Sequence, residues 1–115
     1  MTQGTVILTP FPFTDLTGNK VRPAPIVSSS ARKGNDLIIA FISSVYNPHL
    51  LQPTDFPVTK NSTYFASSGR KTDSVIKIDK LATIDRRIII GELGTIGEEV
   101  MKEVLNKLRI VFDLK

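Results

Sequence analysis

The sequence predicts a mainly β fold with a C-terminal helix, arranged as a small, strongly bent antiparallel barrel. Three observations carry this. Short apolar runs are separated by clusters of Gly, Pro, Asn, Asp and Ser, the punctuation of strands joined by turns. The segment "SVIKIDKLATI" (74–84) alternates, with Ile76 and Ile78 on one face and Lys77 and Asp79 on the other. Beyond Thr95 the apolar residues recur at helical spacing.

Taken in order, "TVILTPFPF" (5–13) reads as the first strand and "TDLTGNK" (14–20) as a loop dense in turn formers. "APIVSSS" and "DLIIAFISS" read as strands flanking "ARKGN", which has the composition of a hairpin connection. Residues 45–68 hold three prolines and many Ser, Thr and Asn, and predict a long loop with one short strand near "FPVT". "RRIIIGELG" (86–94) predicts a further strand ended by glycines. Thr95 with Glu98 three residues later is a capping-box start, after which Val100, Met101, Val104, Leu105 and Leu108 share one helical face. That helix is expected to cover the sheet.

The 115 residues fit a single domain over 1–115, able to bury roughly two thirds of its unfolded surface. Hydrophobic residues at 41% and charged residues at 23% are ordinary for a globular chain. No apolar run approaches the ~20 residues of a membrane span, and "MTQGTVILTP" has no basic region leading into a long apolar core, so a cytoplasmic protein without a membrane partner is expected. The absence of cysteine excludes disulfides, thiolate catalysis and zinc–thiolate sites. His49, the sole histidine, sits in "YNPHLLQP" and reads as a loop side chain. A net charge of +4 and a pI near 9.6 favour polyanions or acidic proteins as partners, though a soluble basic surface explains them too. The cations come in pairs (Arg32-Lys33, Arg70-Lys71, Arg86-Arg87), so any polyanion site must be assembled by the fold.

The stretch "NKVRPAPIV" (19–27) places Arg22 before Pro23 at the entrance of an apolar run. Proline removes a ladder donor and pushes the preceding residue toward an extended conformation, so Arg22 is expected to be exposed and rigidly aimed at a sheet end. A guanidinium held that way suits a carboxylate or phosphate taken by two parallel hydrogen bonds. Alone, it more often caps a turn or makes a surface ion pair. Ser43 and Ser44 end the third predicted strand, where serines commonly bond their own backbone. Lys77 and Asp79 share a face, where such a pair is commonly a solvated ion pair.

The order of these features changes the estimate. "G-T-V", then "K-V-R-P-A-P-I-V", "A-F-I-S-S", "S-V-I-K-I-D-K-L-A-T-I-D" and a terminal helix together resemble the PemK/MazF family, ribonuclease toxins of bacterial toxin–antitoxin pairs. The resemblance runs from Gly4 to the final helix and is most specific at "R-P", "I-S-S" and "T-I-D" (83–85). It implies an SH3-like barrel, a homodimer, and cleavage of single-stranded RNA or mRNA without a metal or other cofactor. It implies Arg22 as the site arginine. Ser43 falls where the family usually has threonine, Ser44 matches the small polar residue after it, and Lys77-Ile78-Asp79 stands where the PemK branch has Arg-x-Asp. Thr5 occupies a place that commonly holds an acid.

The reaction so implied begins with the 2′-hydroxyl of the RNA. It needs a base for that proton, donors for the phosphorane charge, and an acid or cation for the leaving 5′-oxygen. Asp79 is expected as base, Arg22 as charge stabiliser, Ser43 as hydroxyl donor and Lys77 as electrostatic support. The RNA-contacting set adds Thr14, Lys20, Ser44, Arg70 and Lys71. Products would carry a 2′,3′-cyclic phosphate and a 5′-hydroxyl. The other expected partner is a cognate acidic antitoxin, with operator DNA reached only through it. The alternative is a non-catalytic CcdB-like module that poisons a protein target, or a degenerate relative.

Overall fold

The strands at Thr5–Pro10 and Asp36–Ser43 each serve a core on both faces, which is why "TVIL" and "LIIAFI" read as nearly continuous apolar runs rather than alternating ones. The computed structural model describes residues 1–11, 20–62 and 64–115. Its strands are β1 (Thr5–Pro10), β2 (Val21–Pro25), β3 (Asp36–Ser43), β4 (Asp55–Val58), β5 (Ser74–Asp85) and β6 (Gly91–Thr95), followed by helix α1 (Gly97–Phe112). Two three-stranded antiparallel sheets result, ordered β2-β1-β6 and β3-β5-β4. One core joins Val6, Ala40, Ile42, Ile76 and Ile78 to Val100, Met101 and Val104 of α1. The other joins Ile7, Ala24, Ile26, Leu37, Ile39 and Ile84. Adjacent residues of β1 and β3 therefore serve opposite cores. Fully burying each aliphatic side chain contributes about 1.5–3 kcal/mol, so the three buried positions of α1 suffice to dock it.

The two sheets meet along one seam, and prolines keep that seam open. Ile26 N–H donates to Thr5 of β1 (2.9 Å), whereas Val27 N–H donates to Ile38 of β3 (2.9 Å). Backbone groups alternate sides along a strand, so Pro23 and Pro25 fall on the β3 side with Val27 and have no N–H to offer there. The seam has an isolated bridge, Ile26 with Ile39. The predicted fold class holds: a mainly β chain with one C-terminal helix. Among the described residues, however, the sheets do not close into a continuous hydrogen-bonded barrel.

Three local expectations are corrected. "RRIIIGELG" does not form one strand: Arg86–Ile88 is a 3-10 turn and β6 starts only at Gly91. Asp85 causes this. Its carboxylate accepts from Arg87 N–H (2.8 Å) and from the Arg87 guanidinium (2.7 and 3.0 Å), turning the chain. Those hydrogen bonds hold the Asp85 carboxyl down at about 2. Ile88 and Ile90 are left exposed. The capping box is not formed either. The N-cap is Ile96, buried in the first core, and Thr95 Oγ1 instead accepts from Gly97 N–H (3.1 Å) and donates to the Gly4 carbonyl (3.3 Å). Burial of Ile96 outweighs a side-chain cap worth about 1 kcal/mol. Leu105, expected on the buried face, lies at its exposed edge. In the irregular segment the short strand does appear as β4, preceded by a 3-10 turn at Pro48–Leu50.

The segment after β4 is held against β6 by direct backbone contact. Thr95 N–H donates to the Ser67 carbonyl (2.7 Å). A Cβ at Gly94 would strike the Ser67 carbonyl, and one at Gly69 (φ 76) would strike that of Leu93. Gly91, in contrast, has open space around it. Gly94→Ala should therefore lower stability by about 1–3 kcal/mol through overpacking, with Gly91→Ala close to neutral, as read by urea denaturation. Equal, small effects at the two positions would show that the backbone contact is not structural.

Candidate active site

Along one face of β3 the side chains pass from Leu37 and Ile39, buried in the second core, through half-buried Phe41 to Ser43 at the strand end. The β3–β5 register sets Lys77 across from Phe41 and Val75 across from Ser43, and β4 sets Asp55 across from Lys77. Cross-strand partners share a face, so Phe41, Ser43, Lys77 and Asp55 lie on the same side. The seam adds Arg22. Continuing the Ile26–Ile39 pairing antiparallel brings Ala24 opposite Phe41 and Arg22 opposite Ser43. The Arg22 guanidinium indeed stands over the Phe41 ring, 5.7 Å from its centroid.

Arg22 is the second residue of β2, paired with Thr9 of β1. A position at a strand entrance was expected. Exposure was expected as well, but Arg22 is half-buried, with Nε shielded from solvent and without a hydrogen-bond partner. The ring draws it down, a contact worth about 0.5–1 kcal/mol. No carboxylate pairs with it among the described residues. The guanidinium is thus oriented, and uncommitted among the described residues.

Lys77 is differently placed. Its ammonium donates to Asp55 Oδ2 at 3.0 Å, and the Asp55 side chain is 1% exposed. The same carboxylate oxygen accepts from Gln52 N–H at 2.9 Å, while Oδ1 is buried without a partner. Sequence reading did not single out Asp55. Its signal was faint: an aspartate directly before the predicted strand "FPVT", with nothing to show that it would be buried opposite a lysine. Lys77 and Ser43 line a cleft of about 180 Å³ together with Asn47 and Leu50. Ser43 Oγ accepts from Val45 N–H at 3.1 Å, which leaves its proton available to donate.

The expected pairing of Lys77 with Asp79 on one face is interrupted. Ala40 pairs with Leu81 and Phe41 with Lys77, so residues 78–80 bulge out of the β3 register. A bulge re-aims side chains. Asp79, at the middle of the bulge, is exposed and borders a hollow of about 470 Å³ with Lys80, Leu81 and Phe112. Lys80 reaches the Phe41 ring, 5.8 Å from its centroid. Strict alternation concealed that placement.

The remaining residues of the expected RNA-contacting set are spread out. Thr14 lies outside the described residues. Lys20 and Ser44 are exposed on either side of the seam, beside Val21 of β2 and Ser43 of β3. Arg70 donates from Nε to Ser74 Oγ (2.9 Å), and burial lowers its pKa. Ser74 precedes Val75 and so belongs to the alternate face of β5. Lys71 is exposed next to it. Neither member of this basic pair joins the Phe41 face.

Comparison with known proteins supplies the family. A family model described as the PemK-like, MazF-like toxin of type II toxin–antitoxin systems matches residues 2–112. The chain belongs to that family. Solved structures agree on the fold. An endoribonuclease from Mycobacterial species, in complex with its cognate antitoxin, superposes with a TM-score of 0.76 at 15% identity, covering 100% of this chain and 97% of the other. The Mycobacterium tuberculosis toxin MazF-mt6 gives 0.74 at 18%, covering 96% and 98%. A MazE–MazF structure from Deinococcus radiodurans gives 0.71 at 21%, covering 100% and 98%. None of the curated protein sequences matches. No helix among the described residues is long and apolar enough to cross a membrane.

The pairing of Lys77 with buried Asp55 makes a quantitative demand. Lys77→Ala should destabilise by about 1.5–3 kcal/mol, because a buried carboxylate loses its charged partner. The quarter-exposed ammonium keeps this below the cost of a wholly buried pair. Asp55→Asn in the Lys77→Ala background should recover part of the loss. A double-mutant cycle in urea should therefore give a coupling above about 0.5 kcal/mol, and strict additivity would rule the pairing out.

Proposed function

We propose that this toxin is an endoribonuclease that cleaves single-stranded RNA by attack of the 2′-hydroxyl on the adjacent phosphodiester. The observation that carries the proposal is the Arg22 guanidinium, without an ion-pair partner among the described residues, fixed over Phe41 at an open strand seam whose continued register sets Arg22 opposite Ser43. A cation whose charge is satisfied by no carboxylate is stabilised by an arriving anion, and a fork of parallel donors fits a phosphate. Family membership and the likeness to an endoribonuclease and to MazF structures support the same reading.

In this reading RNA supplies its own nucleophile, so the site provides charge and proton management. Arg22 stabilises the phosphorane and the leaving 5′-oxygen. It does so as a charge rather than as an acid, since guanidinium scarcely deprotonates; the leaving oxygen takes its proton from solvent water. Ser43 donates its free hydroxyl proton to a phosphate oxygen. Asp79, exposed and without an ion-pair partner among the described residues, accepts the 2′-hydroxyl proton. Lys77 serves chiefly to compensate Asp55 and line the cleft beside Ser43. Single strands are preferred because base edges and the 2′-hydroxyl must be reachable.

Arg22→Ala should reduce cleavage by about 10²–10³-fold, the usual loss for one transition-state contact, and cost no more than about 1 kcal/mol of stability. Arg22→Lys should restore charge but not the fork, giving partial rescue at most. Products should carry 2′,3′-cyclic phosphate and 5′-hydroxyl ends, and a single 2′-deoxy sugar at the cut should block the reaction. Full activity of Arg22→Ala, or cleavage of the deoxy substrate, would overturn the mechanism.

We further propose that the active form is a homodimer whose groove holds RNA and is closed by an acidic antitoxin. The support is the basic charge of the chain and a similar toxin solved with its cognate antitoxin. Sedimentation should show a dimer at micromolar concentration, and the antitoxin should displace bound RNA. A monomer, or simultaneous binding of both ligands, would refute this arrangement.

A further inference from the structure

We propose that Lys80 is a second substrate-contacting cation, which grips the RNA backbone from the strand on the other side of Phe41 from Arg22. It fills the electrostatic part that alternation along β5 suggested for Lys77. The inference rests on the RNA reading above and adds a residue to it.

The geometry separates the two lysines. Lys77 is spent on Asp55, 3.0 Å from a buried carboxylate oxygen, so the pair presents almost no net charge to a ligand. Lys80 has no carboxylate partner among the described residues and is exposed. The bulge at 78–80 turns it onto the ring that also carries Arg22, with the charges 5.8 and 5.7 Å from the Phe41 centroid. Two like charges gathered on one aromatic side chain repel, and the negative ring face offsets only part of that repulsion. A polyanion reaching both cations offsets the rest. A single strand carries a phosphate on every nucleotide, so one can meet the guanidinium fork and another the compact ammonium. The ring itself anchors both side chains, which lowers the entropy lost when they bind.

The test uses the full-length chain and a 2′-O-methyl RNA oligonucleotide, which lacks the nucleophile and is not cut. Dissociation constants are measured between 50 and 300 mM KCl. Each phosphate neutralised on a single strand contributes about 0.7 to the slope of log K against log salt. Lys80→Ala should weaken binding about five- to tenfold at low salt and reduce the slope by about 0.7. Lys80→Arg should keep the slope, and Lys33→Ala, in the exposed β2–β3 connection, should leave both quantities unchanged. A merely structural lysine would not move the slope. If the wild type binds and Lys80→Ala retains its slope, the Lys80 assignment is wrong while the RNA reading stands. If the wild type does not bind, the RNA reading fails and the assignment with it.

Discussion

Two missing backbone donors govern this molecule. Pro23 and Pro25 face β3, where a sheet would place N–H groups, and the seam between the two sheets therefore stays unzipped from Arg22 to Pro25. An open seam would ordinarily be a defect, since unpaired strand edges invite association. Here it is the place where a guanidinium from one sheet meets an aromatic ring from the other. The dense cores on either side keep the seam from collapsing. β1 and β3 are anchored through both faces, so β2 cannot shift toward β3 without disturbing Ala24 and Ile26.

The second constraint is the β3–β5 register. From Asp36 to Ala40 it runs in one phase and from Phe41 to Ser43 in another, with residues 78–80 bulged out between them. The bulge sorts three charged neighbours into different environments. Lys77 is turned to a buried carboxylate, Asp79 to solvent, and Lys80 to the Phe41 ring. A regular ladder would have put Lys77 and Asp79 on one face. The bulge brings a second cation, Lys80, to the Phe41 ring that Arg22 also approaches.

The buried Asp55–Lys77 pair illustrates how function and stability are divided. A carboxylate that is 1% exposed must be compensated, and one of its oxygens has no hydrogen bond at all. Desolvating such a pair costs more than it returns unless geometry is good. Its effect is to fix β4 against β5 and shape the Ser43 cleft. The catalytic duties proposed here fall instead on groups without ion-pair partners, whose charge remains available to a ligand.

The sequence by itself determined the fold class, the approximate strand positions, the terminal helix, Arg22 at a strand entrance and Ser43 at a strand end. Apolar runs, turn formers and a proline pair are local signals, and local signals survive reading one residue at a time. The family pattern was legible for the same reason, as an order of short motifs along the chain. What only the tertiary structure decided depends on partners distant in sequence. Ile96 displaced the Thr95–Glu98 cap because a core formed by other strands required it. Asp85 folded onto Arg87 and broke the strand predicted through "RRIII". Asp55 and Lys77, 22 residues apart, found one another only through the β4–β5 register. Above all, the bulge opposite Phe41 is invisible in an alternating segment. An extra residue in one strand is defined only by the count of residues on the other, and that count exists only once the strands have paired.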